Sequence, residues 1–136
     1  SLAQNKSTDK ILNRNISSRF SYLLDFPVDS LAIPRSVNIS NGVFKKVKSK
    51  DWTSGFFPGT LWQIYKLTGE VKYKEKAAVW NAFIEKEKFN GTTHDMGFKV
   101  YGSFGKGLAV ENNEKYKKII VKLKSDFIIF TYAIYN

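Results

Sequence analysis

Apolar residues recur at three- and four-residue intervals in several stretches of the chain, the period typical of amphipathic helices. The first stretch starts at Thr8 or Asp9, either of which can cap a helix, and ends before Pro27. Its apolar positions are Leu12, Ile16, Phe20, Leu23 and Leu24. This pattern predicts one amphipathic helix near the start of the chain.

The next stretch, residues 29–50, has no helical period. It contains Pro34 and the pair Asn41-Gly42, which are typical of turns, together with several β-branched residues. We therefore expect a long non-helical connection between two helices, with a short extended piece at about residues 43–47.

Two helices joined by a tight turn are predicted next. The first begins near Ser54 or Gly55, tolerates Pro58 in its first turn and ends at Gly69, a residue type that favours the C-cap conformation. The second helix follows at roughly residues 71–88. Its inward-facing positions are Tyr73, Ala77, Trp80, Phe83 and Ile84.

Two further helical patterns follow. In residues 95–109 the apolar spacing is helical, but glycines interrupt it, and each costs about 1 kcal/mol relative to alanine. Such a helix needs tertiary packing, and its glycines indicate close helix approach or room for a ligand. The last helix begins at Asn112 or Asn113, and the aromatic, β-branched tail from residue 125 is typical of a strand or a sticky terminus. The apolar positions of the two helices are Met96, Val100, Phe104 and Leu108, then Tyr116, Ile119, Ile120 and Leu123.

The composition fits a single folded domain. With 136 residues, 43% of them apolar, the chain is long enough to bury a core. Its 22 basic and 12 acidic side chains give a net charge of +10, which favours an anionic partner such as nucleic acid, a membrane surface or an acidic sugar. Helix periodicity places most lysines on solvated faces, and no nucleic-acid-binding motif accompanies them. We expect no nucleic-acid partner and keep a basic nucleic-acid-binding domain as a minor alternative.

The residue types exclude several chemistries. Cysteine is absent and histidine occurs once, so neither a disulfide, a metal cluster nor a serine or cysteine triad can be built, and we expect no cofactor and no metal. No apolar run approaches the roughly 18 residues of a membrane helix, so we expect no membrane partner. The chain begins with serine rather than methionine. A removed signal peptide would favour a periplasmic or secreted location, and the compartment is otherwise open.

Two short motifs carry most of the functional information. Residues 51–62 read Asp-Trp-Thr-Ser-Gly-Phe-Phe-Pro-Gly-Thr-Leu-Trp, a polar cap followed by aromatics that two glycines interrupt. Residues 94–98 read His-Asp-Met-Gly-Phe. Judged alone, a His-Asp pair is more often a helix cap than a catalytic site, and Trp52 is more often core than a sugar platform. Trp62 and Trp80, at helical spacing among apolar residues, are predicted to be core.

In their order and spacing the two motifs resemble those of unsaturated glucuronyl hydrolases, glycoside hydrolase family 88. The resemblance runs from about residue 33 to residue 122. It also rests on Leu61, Trp62, Tyr65, Thr68 and Gly69. It implies an all-α fold, a partial (α/α)6 barrel with roughly the first five of twelve helices. Residues 1–136 would then be a single truncated catalytic-domain fragment with an atypical tail at 123–136.

Proteins of this family are hydrolases, glycosidases that act in polysaccharide degradation. They hydrate the C4=C5 bond of an unsaturated glucuronyl residue at the non-reducing end of oligosaccharides released by polysaccharide lyases. A carboxylic acid protonates C4, water adds at C5, and the resulting hemiketal opens. The resemblance assigns Asp95 to the first of two catalytic aspartates, His94 to the substrate-binding histidine and Trp52 to the sugar subsite. It implies an unsaturated uronic-acid oligosaccharide of the glycosaminoglycan type as partner.

The chain departs from the family from Leu123 onward. The second catalytic aspartate, the family's proton donor, lies downstream of the matching region, and Asp126 falls outside the resemblance. We interpret the chain as a truncated or frame-shifted product and expect it to be inactive or nearly so. The alternative is a carbohydrate-binding remnant without catalysis, which forms homo-oligomers through the exposed inner helix faces of an incomplete barrel and buries Trp52, Phe56 or Phe57.

Overall fold

The computed structural model describes residues 2–89 and 96–122, most of which are helical. His94, Asp95 and the tail at 123–136 lie outside the described residues, and the expectations for them stay predictions. The elements, in chain order, are helix α1 (Leu2–Phe20), a 3-10 turn (Ser21–Leu24), strands β1 (Ile33–Val37) and β2 (Phe44–Val47), helices α2 (Phe56–Thr68) and α3 (Val71–Glu85), a 3-10 turn (Lys86–Phe89), helix α4 (Met96–Val100), a π-helical turn (Tyr101–Gly105), helix α5 (Lys106–Leu108) and helix α6 (114–122).

The predicted all-α class with a short extended piece is confirmed. The extended piece is one strand of an antiparallel hairpin, in which Ile33 of β1 lies opposite Val47 of β2. The sequence predicted β2 but not β1, because Pro34 argues against a regular strand. The structure accommodates this proline with a register irregularity between Pro34 and Ser36.

Helix α1 begins at Leu2, so the start predicted at Thr8 or Asp9 is wrong. The residues between Leu2 and Thr8 contain neither glycine nor proline, so none of them stops a helix from extending past a favourable cap. The predicted apolar stripe is confirmed only in part, because Leu12 is exposed whereas Leu23 is buried. None of the described helices is long and apolar enough to cross a bilayer.

The α2–α3 hairpin follows the prediction. Helix α2 ends at Gly69, whose φ of 72° is the left-handed conformation that glycine adopts without strain, and the Gly69 N–H donates to the Tyr65 carbonyl at 2.7 Å. Helix α3 ends at Glu85, and a 3-10 turn continues from there. The predicted core positions that are fully buried are Trp62, Tyr73, Ala77, Trp80 and Ile84, and Phe83 is partly buried.

Helix α4, the π-helical turn and α5 form one continuous run, which we call the 96–108 segment. Helix α2 packs against this segment so closely that the two backbones are in contact. A Cβ placed on Gly55 would lie 2.0 Å from the carbonyl oxygen of Lys99, and one on Gly59 would lie 2.1 Å from that of Gly102. No side chain other than hydrogen fits at these two positions.

The expectation that glycines of residues 95–109 mark close helix approach is confirmed in part. A Cβ on Gly102 would lie 3.2 Å from the Phe56 ring and one on Gly107 2.7 Å from the Tyr116 ring, whereas one on Gly97 would meet nothing within 4 Å.

Aromatic packing joins the β-hairpin to the helices. The ring of Phe26 contacts that of Phe44 in β2 at a centroid distance of 4.8 Å and that of Phe57 in α2 at 5.7 Å. Phe57 in turn contacts Trp80 of α3 at 5.1 Å. These edge-to-face contacts hold the hairpin against α2 and α3.

Alanine at Gly55 or Gly59 should destabilise the fold, because the new Cβ would overlap a backbone carbonyl. We expect the free energy of unfolding to fall by about 1–3 kcal/mol at either site, the usual cost of overpacking. Gly97→Ala is the matched control, since a Cβ there meets no heavy atom within 4 Å, and it should be neutral or stabilising by up to about 1 kcal/mol. Chemical denaturation compares the variants, and equal stability of Gly59→Ala and Gly97→Ala would contradict the close approach.

Candidate functional site

Three half-exposed aromatic rings meet where the loop before α2 faces helix α4. The Trp52 ring contacts the Phe56 ring at a centroid distance of 5.7 Å and the Phe98 ring at 6.1 Å, both edge to face. The exposed fractions are 40% for Trp52, 42% for Phe56 and 59% for Phe98. Clustered aromatic surface of this kind is typical of a binding site rather than of a random surface position.

Arg35 of strand β1 places a positive charge against these rings. Its guanidinium carbon lies 6.0 Å from the centroid of the Trp52 ring, within range of a cation–π interaction. We call this group, Arg35 with Trp52, Phe56 and Phe98, the Trp52 corner. Sequence reasoning missed Arg35 because strand β1 was not predicted, and without β1 no local signal places the residue beside Trp52.

The loop that carries Trp52 is ordered by its own side chains. One carboxylate oxygen of Asp51 accepts hydrogen bonds from the Thr53 backbone N–H at 2.8 Å and from the Thr53 hydroxyl. The Ser54 hydroxyl donates to the Ser49 carbonyl at 2.8 Å. Ser49, Thr53 and Ser54 are all buried, so the Trp52 indole projects from a turn whose hydroxyl groups are closed off from solvent.

The pKa of Asp51 is lowered from its ordinary value. Partial burial acts to raise the pKa of this carboxyl, but the side-chain and backbone hydrogen bonds from Thr53 and the charges of Arg35 and Lys99 outweigh it. Asp51 therefore remains ionised at neutral pH. Its negative charge interacts with a cation at the surface, Arg35, and with a cation in the interior, Lys99.

A buried lysine lies beneath this loop. The Lys99 side chain has no solvent exposure, and its Nζ donates to the Lys50 carbonyl at 2.8 Å and lies 3.9 Å from a Glu87 carboxylate oxygen. The other Glu87 oxygen accepts a hydrogen bond from the Ser49 hydroxyl at 2.8 Å. Burial lowers the pKa of Lys99, while the charges of Glu87 and Asp51 act in the opposite direction.

The sequence carries a signal for Lys99, although a buried lysine was not among the predicted site residues. Lys99 lies three residues after Met96 and next to Val100, so it falls within the predicted buried stripe of the 95–109 helix. A lysine on such a stripe is rarely buried unless it has partners. This position is therefore recognisable from the sequence as a candidate for a buried polar contact.

Of the three site residues that the sequence predicted, the structure describes one. Trp52 is half-exposed in the corner, which favours the sugar-platform role over a core role. His94 and Asp95 lie outside the described residues, and Asp95 immediately precedes Met96, the first residue of α4. Phe57, expected on an exposed aromatic face, is instead buried, with 7% of its surface accessible, because it packs between Phe26 and Trp80.

The corner is suited to a cyclic, anionic ligand. Aromatic faces bind the apolar side of a ring, and a guanidinium pairs with a carboxylate or another oxyanion.

In the ranges 2–89 and 96–122, no cluster of three or more histidine, cysteine, aspartate or glutamate residues could hold a metal ion.

Comparison with known proteins gave two relatives and one structural neighbour, and no family model matches the chain. The chain is 48% identical over 123 residues to an unsaturated glucuronyl hydrolase of Formosa agariphila, which corresponds to 88% of this chain and 31% of that protein. It is 37% identical over 90 residues to an unsaturated glucuronyl hydrolase of Bacillus sp. (strain GL1), covering 62% of this chain and 24% of the relative.

A crystal structure of an unsaturated glucuronyl hydrolase specific for heparin matches the fold. Its TM-score is 0.74 at 28% identity, over 86% of this chain and 31% of that one. The chain therefore spans between about a quarter and a third of the length of the proteins that it matches.

The Thr53 hydroxyl should hold the pKa of Asp51 down. Thr53→Val removes this donor without changing the shape of the side chain, so we expect the pKa of Asp51 to rise. A lowered pKa in the folded state stabilises the protein above the unfolded-state pKa, and this contribution is lost as the pH falls through the folded-state value. As the pH falls, Thr53→Val should therefore lose the stabilisation contributed by Asp51 at a higher pH than the wild type does.

Carbon-13 NMR titration of the Asp51 carboxyl group measures this pKa directly. Thr60→Val is the control, because the Thr60 hydroxyl is exposed and donates to the Phe56 carbonyl instead. An identical Asp51 titration in Thr53→Val and wild type would show that the hydroxyl does not act on this carboxylate.

Proposed function

Because the chain is homologous, over most of its length, to unsaturated glucuronyl hydrolases, we propose that its Trp52 corner binds the terminal sugar of an unsaturated uronic-acid oligosaccharide. The observation that carries the proposal is the half-exposed Trp52 indole with the Arg35 guanidinium against it. An aromatic ring accepts the C–H face of a pyranose, and the guanidinium pairs with the uronate carboxylate.

The charge of the chain supports this choice of ligand. A net charge of +10 attracts acidic oligosaccharides and speeds their association at low salt. Arg35 is exposed, and although its charge also acts on Asp51, no hydrogen bond or ion pair in the described part of the chain ties its guanidinium to that carboxylate, so it can pair with a ligand carboxylate. The ligand of the proposal is thus a sugar ring with one carboxylate, presented end-on to the corner.

We assign the reaction chemistry to the 94–98 motif. Asp95 takes the role of the first catalytic carboxylate, and His94 binds the substrate beside it. Phe98, which follows Asp95 by three residues, contacts the Trp52 ring, and this contact supports a common location for the two motifs. The reaction is hydration: a proton adds to C4, water adds to C5, and the hemiketal opens to release the sugar.

The isolated 136-residue chain should bind this ligand without efficient turnover. The resemblance places the second carboxylate, the proton donor, beyond the matching region. General acid–base catalysis contributes about 10²–10⁴ in rate, so a chain with one of the two carboxylates loses most of its turnover.

Binding can be followed with an unsaturated chondroitin disaccharide as the probe. We expect the Trp52 indole N–H resonance to shift on titration, whereas those of the buried Trp62 and Trp80 stay in place. Trp52→Ala should weaken binding about tenfold, or about 1.4 kcal/mol, because it removes the aromatic face. Tyr22→Ala removes an equally exposed ring, 44% accessible, outside the corner and is the matched control. Equal affinities of the two variants would overturn the sugar-platform role.

Turnover is measured with the same disaccharide by the loss of ultraviolet absorbance that follows saturation of the C4=C5 bond. We expect a rate indistinguishable from that of buffer for the 136-residue chain. Turnover that Asp95→Asn abolishes would refute the claim of inactivity and would confirm the assignment of Asp95. Turnover that persists in Asp95→Asn would contradict that assignment.

A second proposal is self-association without catalysis. The three aromatic residues of the Trp52 corner are between 40% and 59% exposed, and the rings of Phe56 and Phe98 both contact that of Trp52. Burying such a surface between two copies would favour a homodimer. Light scattering distinguishes this proposal, since a monomer at dilute and at high protein concentration would exclude it.

A further inference from the structure

Lys99 is an unusual residue to find in the interior of this fold. Its side chain is completely buried, and burying an ammonium group is costly unless hydrogen bonds and opposite charge compensate for it. Both kinds of compensation are present, a 2.8 Å bond to the Lys50 carbonyl and Glu87 at 3.9 Å. The acceptor of the hydrogen bond lies in the loop that carries Trp52, two residues before the indole.

The backbone of Lys99 contacts the other end of the same loop. A Cβ placed on Gly55 would lie only 2.0 Å from the Lys99 carbonyl oxygen. Residue 99 therefore touches the loop on both sides of Trp52, by its side chain at Lys50 and by its backbone at Gly55. Its neighbour Phe98 contacts the Trp52 ring itself.

We propose that Lys99 is the positioning residue of the Trp52 corner: its ammonium group holds the Lys50 carbonyl and thereby fixes the orientation of the Trp52 indole. Lys99 does not touch the ligand. Glu87 balances its charge and ties Ser49, at the start of the loop, to the same network. The effect of Lys99 on ligand affinity rests on the proposed function, whereas its effect on the orientation of the Trp52 indole does not.

A merely structural role makes a different prediction. If Lys99 served only to fill the core beside Glu87, an uncharged pair of the same shape would keep the corner intact. The double variant Lys99→Met/Glu87→Gln is such a pair, since it retains the volume of both side chains and their mutual neutrality. The double variant lacks the donor to the Lys50 carbonyl. The positioning role therefore predicts that the corner is disturbed in this variant, whereas the space-filling role predicts that it stays intact.

Acrylamide quenching reports on Trp52, because Trp62 and Trp80 have no solvent exposure. In the double variant we expect the quenching rate of Trp52 to rise, with Trp62 and Trp80 still protected, which also establishes that the core has folded. Glu87→Gln alone keeps Lys99 and its donor to the Lys50 carbonyl, with Asp51 still a compensating charge, and its quenching should lie closer to that of the wild type than to that of the double variant. Wild-type quenching in the double variant would overturn the proposal.

Affinity for the unsaturated chondroitin disaccharide provides the second readout. We expect it to fall about tenfold in the double variant, because binding must then order the loop. If the wild type does not bind the disaccharide but quenching rises in the double variant, the proposed function fails and the positioning role stands. If quenching is unchanged while the wild type binds, the positioning role fails alone.

A measurement on the unmodified protein applies even if the double variant does not fold. A hydrogen bond between Lys99 Nζ and the Lys50 carbonyl should give a through-bond NMR coupling between the ¹⁵Nζ and the carbonyl ¹³C. Observation of this coupling supports the proposal, and a resolved Lys99 ammonium resonance without it would refute the proposal.

Discussion

The contact between the backbone of α2 and that of the 96–108 segment is the constraint on which the rest of this structure depends. At Gly55 and Gly59 the space for a side chain is already occupied by the carbonyls of Lys99 and Gly102. Because backbones approach this closely only where side chains are absent, Gly55 sets the distance between the loop before α2 and helix α4, and Gly59 sets the distance between α2 and the π-helical turn. Trp52 lies in this loop and Phe98 in α4, so the contact at Gly55 brings the aromatic rings of the corner together.

The charges around the corner follow from this geometry. Arg35 lies at the surface against the indole, Lys99 lies beneath the loop, and both interact electrostatically with the ionised Asp51. The interior lysine is held by a carbonyl of the loop rather than by a ligand, whereas the surface arginine remains accessible. An exposed aromatic surface with an arginine beside it, held from beneath by a buried lysine, is suited to an acidic sugar that arrives from solvent.

Local signals explain which parts of the fold the sequence could predict. The end of α2 at Gly69 and the buried face of α3 follow from glycine's left-handed preference and from helical periodicity, both of which act over a few residues. The interruption of the 95–109 pattern by glycines predicted close packing for the same reason. Strand β1 could not be predicted, because it exists through pairing with β2 and because Pro34 opposes it. Arg35 was missed because its role depends on Trp52, far along the chain. The burial of Lys99 is recognisable from helical periodicity, but its partner Lys50 is not, because that residue lies 49 positions away.

Proton NMR of the 136-residue chain tests the central claim most directly, because it detects whether the corner forms in solution. We expect nuclear Overhauser contacts between the Trp52 indole and the Phe98 ring, whose centroids lie 6.1 Å apart. Contacts between Trp62 and Tyr116, at 6.1 Å in the core, serve as the internal reference for a folded chain. Core contacts without any contact between Trp52 and Phe98 would contradict the existence of the corner.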